Sequence, residues 1–218
     1  MDKVDNLINL RDQVLEAALA HVPFDGWSTK AVEAGAVDSG KELGWGSEMA
    51  KIAFPNGVHD FVDHMADWTN RRMLYEIEKL DVSSMRVRDR ISTCIRLRLQ
   101  ILAPYREGVR RLIAYLALPQ NSSQAIKITW GVADSIWYIA GDKSSDYNYY
   151  TKRGLLASIY TTTVLYWLVD DSDDFNDTWS YLDRRIENVM KIPLVTSNIK
   201  KALNFIPNLL YTRLSVNK

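Results

Sequence analysis

The chain reads as an all-α protein. Only 10 glycines and 6 prolines interrupt its 218 residues. Apolar side chains recur at three- and four-residue spacing through long segments, and no turn dipeptide sits between alternating runs as a β-hairpin requires. Leu7, Leu10, Val14, Ala17, Ala18 and Val22 share one face of a first helix that should end at Pro23 and Gly26. Ser28 or Thr29 can cap a second, short helix through Ala36, because a side-chain oxygen there accepts from free first-turn amides. A third spans about Gly46 to Phe54 and stops at Pro55-Asn56-Gly57. Longer helices follow over roughly Val58–Leu80, Ser84–Ala103, Tyr105–Ala117, Ser123–Ala140, Thr151–Val169 and Asp174–Met190. A last one runs from about Ser197.

Composition narrows the function classes. Apolar residues make up 47% and charged residues 25%, a globular balance, and 27 basic side chains meet 27 acidic ones. Cys94 is the single cysteine, which excludes an internal disulfide or a multi-cysteine zinc site. The uncharged runs Leu112–Ile126 and Gly154–Val169 fall short of the ~20 residues a membrane-spanning helix needs. The start, Met1-Asp2-Lys3-Val4-Asp5, has neither the apolar stretch of a secretory signal nor an Arg-rich presequence, so the expectation is a bacterial cytosolic protein or a processed form.

Three short helices before a bundle of longer ones resemble the helix-turn-helix head and ligand domain of TetR-type repressors. This resemblance implies a head over residues 1–57 and a helical ligand domain over 58–190, with residues 191–218 left as a further segment. Between His21 and Asp67, however, Lys30, Lys41 and Lys51 stand against Asp25, Glu33, Asp38, Glu42, Glu48, Asp60, Asp63 and Asp67, a net of −5. Docking on phosphates draws its affinity from Lys and Arg, so the head is not expected to bind nucleic acid.

Other clusters have plain readings. His59, Asp60, Asp63, His64 and Asp67 lie on one helix, but no Glu-x-x-His pair exists, so a solvated face is preferred over a metal site. Arg86, Arg88, Arg90, Arg96, Arg98, Arg106, Arg110 and Arg111 alternate with apolar residues. They read as a charged bundle face partnered by Asp89, Glu76, Glu78 and Asp81. No nucleophile elbow, phosphate loop or dinucleotide fingerprint is present, and nothing recommends an enzyme. The Gly154–Val169 helix is apolar on nearly all sides, meaning either full burial or one face on an apolar cavity. After Glu187 the chain holds no acid, while Lys191, Lys200, Lys201, Arg213 and Lys218 accompany Leu203, Phe205, Ile206, Leu209, Leu210 and Leu214. Such a basic amphipathic helix suits an anionic membrane surface, or else docks on the body.

Asp134-x-x-Trp137-x-x-Ala140-Gly141-Asp142-x-Ser144-x-Asp146-x-Asn148-x-Tyr150-Thr151-Lys152-Arg153 and Phe175-x-Asp177-Thr178-Trp179-x-x-Leu182-x-x-Arg185 resemble two blocks of the coenzyme Q biosynthesis accessory lipid-binding proteins, over about residues 8 to 190. The resemblance implies a TetR-like homodimer without catalysis, holding an isoprenoid quinone precursor or phospholipid and needing no cofactor. It implies assistance to the di-iron demethoxyubiquinone hydroxylase. It also implies a peripheral place on the inner membrane, cytoplasmic in a bacterium and matrix-side in a mitochondrion. Asp142, Asp146, Asn148, Tyr149, Tyr150 and Arg153 match the exposed hydroxylase patch, with tyrosine at 149 where the family often has tryptophan. Trp137, Leu155, Ile159, Tyr160, Val164 and Trp167 are expected to line the lipid cavity. Lys200, Lys201, Leu203, Phe205, Ile206, Leu209, Leu210 and Arg213 are expected at the membrane. The alternative is a ligand-responsive TetR-family regulator.

Overall fold

The computed structural model describes residues 3–142 and 147–190, and every regular element among them is helical. The amphipathic segment expected over 191–218, with Lys200, Lys201, Leu203, Phe205, Ile206, Leu209, Leu210 and Arg213, lies outside the described residues. The elements are α1 (Lys3–Ala18), α2 (Val22–Asp25), α3 (Thr29–Ser39), α4 (Met49–Ala53), α5 (Val58–Glu78), α6 (Val87–Leu102), α7 (Arg106–Leu116), α8 (Ser122–Ile139), α9 (Tyr147–Trp167) and α10 (Asn176–Met190). Among the described residues no helix is long and apolar enough to cross a membrane.

The head is α1 to α4. Ser28 caps α3 as expected, its hydroxyl accepting from the Ala31 amide at 3.3 Å. Pro23, taken as a helix end, instead sits in the first turn of α2, where its missing N–H costs nothing and its fixed φ suits the helix. Gly35 lets α1 and α3 touch: a Cβ there would fall 2.5 Å from both Cβ and N of Ala18. Trp27 reaches out of the head, its ring tilted against Phe61 at 4.9 Å and its Nε1 donating to the Gly108 carbonyl at 2.9 Å. Val14, Trp27 and Phe54 therefore share one core with Phe61, Met65 and Trp68 of α5.

Polar pairs tie the same seam. His64 is buried and bonds Asp12 at 2.7 Å, which corrects the solvated-face reading for that residue, whereas His59 and Asp67 are exposed as expected. Asp12 also accepts from both Nη atoms of Arg71, at 2.6 and 2.9 Å, and Glu16 accepts from Trp68 Nε1 at 3.0 Å. Burial holds His64 below its ordinary value and towards the neutral ring, outweighing the Asp12 bond that favours the cation. Asp60 bonds Asn56 and Asp63 bonds Lys127 and Gln124, with His59 4.0 Å from Asp63. No metal-ligating group of three exists among the described residues.

The body packs α5, α6, α8, α9 and α10 around Ile95, Leu99, Ile136, Leu156, Trp167 and Leu182. Each such fully buried side chain removes ~1.5–3 kcal/mol worth of apolar surface from water. Most arginines of α6 and α7 do not meet the acids expected of them. Arg90 donates to the Ala140 carbonyl, Arg106 to those of Trp167 and Asp170, and Arg110 to that of Leu168. These carbonyls lie at or just past the ends of α8 and α9, where a cation suits both hydrogen bonding and the dipole. Of the four acids named, Asp89 meets an arginine, Arg88 at 3.4 Å, while Glu76 takes Lys79.

Candidate functional site

The α8–α9 junction concentrates the residues singled out in the sequence. α8 ends because Gly141 takes φ +87°, a conformation that other residues rarely adopt. The Gly141 amide donates to the Tyr138 carbonyl at 3.0 Å and the Asp142 amide to that of Trp137 at 3.0 Å. That pair is a Schellman end, and it turns the Asp142 side chain back over α9. The expected helix stop at Gly141 is thus present. Residues 143–146, between this helix end and α9, lie outside the described ones.

Arg153 is the centre of the junction. Its side chain is 6% exposed and bonds Asp134 at 2.5 Å and Asp142, itself 4% exposed, at 3.1 Å. Its guanidinium carbon lies 3.3 Å from the Tyr149 ring centre, and the Tyr149 hydroxyl donates to Asp134 at 3.2 Å. Lys152 adds a second cation to Asp142 at 2.6 Å, and Trp137 Nε1 donates to the Lys152 carbonyl at 2.9 Å. Burial by itself disfavours the charged guanidinium, but the two carboxylates outweigh it and hold Arg153 more firmly protonated than usual.

This geometry corrects the picture of one exposed patch. Asp142 and Arg153 face each other inside the junction, because opposite charges on adjacent helices gain most where water is excluded. Tyr149 is half-buried over Arg153, and Tyr150 is the residue presented to solvent, 64% exposed. Tyr150 is braced edge-on by Tyr149 at 5.2 Å and lies 6.2 Å from Trp130. The side chains of Asp146 and Asn148 lie outside the described residues. Asp134 and Lys152 were quoted in the motif without a role. The three-residue spacing of Asp134 and Trp137, one helical turn apart, is the signal that both meet α9.

The six side chains expected to line a lipid cavity are not gathered round one space. Trp137 and Ile159 border a void of about 20 Å³ with Ile91, Leu156, Ile186, Val189 and Met190, room for about one water molecule. Val164 and Trp167 are buried in the core, and Trp167 meets Phe175 at 5.9 Å. Tyr160 and Leu155 are half-buried, Tyr160 with its ring 5.6 Å from the Arg98 guanidinium. Leu165 of α9 and Val169, just past its end, are exposed. Cys94 is fully buried and burial pushes its thiol up to about 12, so it is inert as a nucleophile.

Comparison with known proteins bears on this junction directly. Residues 122–193, which include α8, α9 and α10, match the COQ9 family. The chain is 33% identical over 198 residues to the mitochondrial ubiquinone biosynthesis protein COQ9 of Rattus norvegicus, and 32% identical over 198 residues to that of Homo sapiens. Each alignment covers 88% of this chain, and 62% and 61% of those proteins. The probable ubiquinone biosynthesis protein coq9 of Dictyostelium discoideum is 25% identical over 205 residues. The chain thus spans about three-fifths of the length of these first relatives. In three dimensions it resembles a TetR transcriptional regulator from Nitrosomonas europaea, with a TM-score of 0.64 at 20% identity, over 82% of this chain and 97% of that one. The likeness fixes the fold as TetR-like.

Proposed function

We propose, from the premise that this chain is a COQ9 homologue whose residues 122–193 belong to that family, that it serves ubiquinone biosynthesis as a non-catalytic accessory protein. It binds an isoprenoid quinone precursor, or a phospholipid in its place, at the membrane and presents the precursor to the di-iron demethoxyubiquinone hydroxylase. The observation that carries the reading is the junction itself. Four groups, Asp134 on α8, Asp142 just past its end, and Tyr149 and Arg153 on α9, are held together, and beside them Tyr150 faces solvent with Tyr149 edge-on against its ring. A preorganised aromatic is what a partner-binding surface needs, since ordering costs are met before the partner arrives.

The protein works as a homodimer, peripheral on the inner membrane through residues 191–218, on the cytoplasmic side in a bacterium or the matrix side in a mitochondrion. The chemistry belongs to the hydroxylase, and this chain supplies binding and delivery. A TetR-like fold also suits a ligand-responsive regulator, but the net −5 over residues 21–67 opposes phosphate docking, and Lys30 and Lys41 are engaged by Asp25 and Asp38.

The test is a pull-down from membrane extract, with native mass spectrometry of the captured protein and its lipid. Co-purified quinone or phospholipid together with the hydroxylase supports the reading. Consistently empty protein that rejects added isoprenoids defeats it. A reproducible operator from a genomic selection reverses it in favour of the regulator. Deleting residues 195–218 should abolish liposome flotation and spare hydroxylase binding in detergent.

A further inference from the structure

Head and body are joined by residues 54–57, between α4 and α5, and this joint holds the chain's one Asn-Gly pair. Gly57 is required there by its backbone, whose φ of +62° strains any residue with a side chain. The same lack of a Cβ leaves the Gly57 amide nitrogen unshielded beside the Asn56 side chain. An asparagine so placed is thermolabile. The Gly57 nitrogen attacks Cγ of Asn56, the Cγ–Nδ2 bond breaks, ammonia leaves and a succinimide ring closes. Water then opens either ring carbonyl, giving aspartate or isoaspartate with no change of oxidation state.

Asn56 is exposed, yet both reacting groups are held. The Gly57 amide donates to the Phe54 carbonyl at 2.9 Å, which closes the turn. Asn56 donates from Nδ2 to the two Asp60 carboxylate oxygens at 3.1 and 3.2 Å, and from its backbone amide at 2.9 Å. The nucleophile is thus engaged on one carbonyl, and the leaving nitrogen is tied to a carboxylate. Asp60 also lies in the first turn of α5, where its charge opposes the anion that forms as the amide nitrogen attacks. It takes up the positive end of the helix dipole, which would otherwise favour that anion.

We propose that Asn56 is a deamidation site and that Asp60 holds its rate down, so that the joint ages only as often as the first turn of α5 opens. Isoaspartate at this position adds one carbon to the backbone of the joint. Phe54, two residues before, is 1% exposed, with its ring 5.4 Å from Phe61 and 5.7 Å from His64. A lengthened joint strains that packing, and a carboxylate at position 56 faces Asp60 with like charge. Deamidation therefore loosens the head from the body.

The experiment warms the full-length protein at mildly alkaline pH and follows the amide-to-acid mass shift at Asn56 by peptide mapping, beside the free peptide Ile52–Arg71. The folded chain should react about tenfold or more slowly than the peptide, the worth of one hydrogen bond to a charged acceptor. Asp60→Ala should recover most of that factor. Asp60→Asn, which keeps an accepting oxygen without the charge, should recover a smaller part, and it carries the same comparison should Asp60→Ala not fold. Equal rates in the folded chain and the peptide, or Asp60 variants no faster than wild type, overturn the role of Asp60. Conversion at another asparagine ahead of Asn56 in the Asp60 variants overturns the site. Deamidated protein, separated by charge, should melt below the unaged protein and exchange the Phe54 and Phe61 amides faster. Equal melting and exchange overturn the loosening of the head.

Discussion

Replacing Arg153 by methionine tests the junction most directly. The substitution keeps an unbranched chain of similar length and removes the charge. Asp142, its side chain 4% exposed, still has Lys152 at 2.6 Å, and Asp134, 47% exposed, can turn to water. Breaking a buried pair from one side costs about 3–5 kcal/mol, and the surviving lysine puts this case at the lower end, ~3 kcal/mol. For a domain of this size each 1 kcal/mol moves the midpoint by about 2–4 °C, so the melting temperature should fall by roughly 6–12 °C. Urea unfolding gives the free energy and calorimetry the midpoint. The double variant Asp142→Leu with Arg153→Met removes both buried charges, while the Lys152 side chain is 38% exposed. It should recover ~1 kcal/mol or more relative to Arg153→Met, because a buried pair replaced by apolar groups is often neutral. A single variant that loses under ~1 kcal/mol, or a double variant whose loss equals the sum of the two singles, refutes the argument that this pair is buried and coupled.

Three further outcomes are expected. Tyr150→Ala should weaken hydroxylase binding by ~2 kcal/mol in a pull-down titration while leaving liposome flotation and the melting temperature alone, since its ring faces solvent. Gly35→Ala should destabilise by ~1–2 kcal/mol in urea although alanine favours helices by ~1 kcal/mol, because its Cβ meets the Ala18 backbone at 2.5 Å. A stabilised Gly35→Ala protein would show that α1 and α3 do not approach so closely. Acidification from pH 7 to 5 should lower stability through His64: burial keeps its folded value below the ordinary 6.5, so the unfolded chain takes up the proton first. Asp12, whose carboxyl is held below its ordinary 3.8 by Arg71 and His64 against the cost of burial, loses its contribution only in more acid solution. His64→Gln should therefore flatten the melting-temperature profile between pH 7 and 5, and an unchanged slope would exclude His64 as its source.

Local signals carried the helices well. Gly141 marked the end of α8 and Ser28 the start of α3, because capping depends on residues within one turn and on φ values that few side chains permit. Pro23 was ambiguous for the same reason, since proline both ends helices and begins them, and only the following backbone chose between the two. The motif around Asp134 to Arg153 lies at the α8–α9 junction, within the residues 122–193 that match the COQ9 family.

Sequence by itself therefore determined an all-α, TetR-like chain with its distinctive chemistry between α8 and α9. Tertiary structure alone decided which charges are inside. Arg153, Arg98 and Arg90 look alike in a one-dimensional list, yet the first is locked by two carboxylates, the second lies buried beside one amide and the third closes the end of α8. His64 and Asp12, 52 residues apart, meet across the seam between head and body. The reason is physical: helical periodicity fixes which side chains share a face, whereas a charge is satisfied by whatever the neighbouring helix brings opposite it, and that is set by packing across long sequence separations.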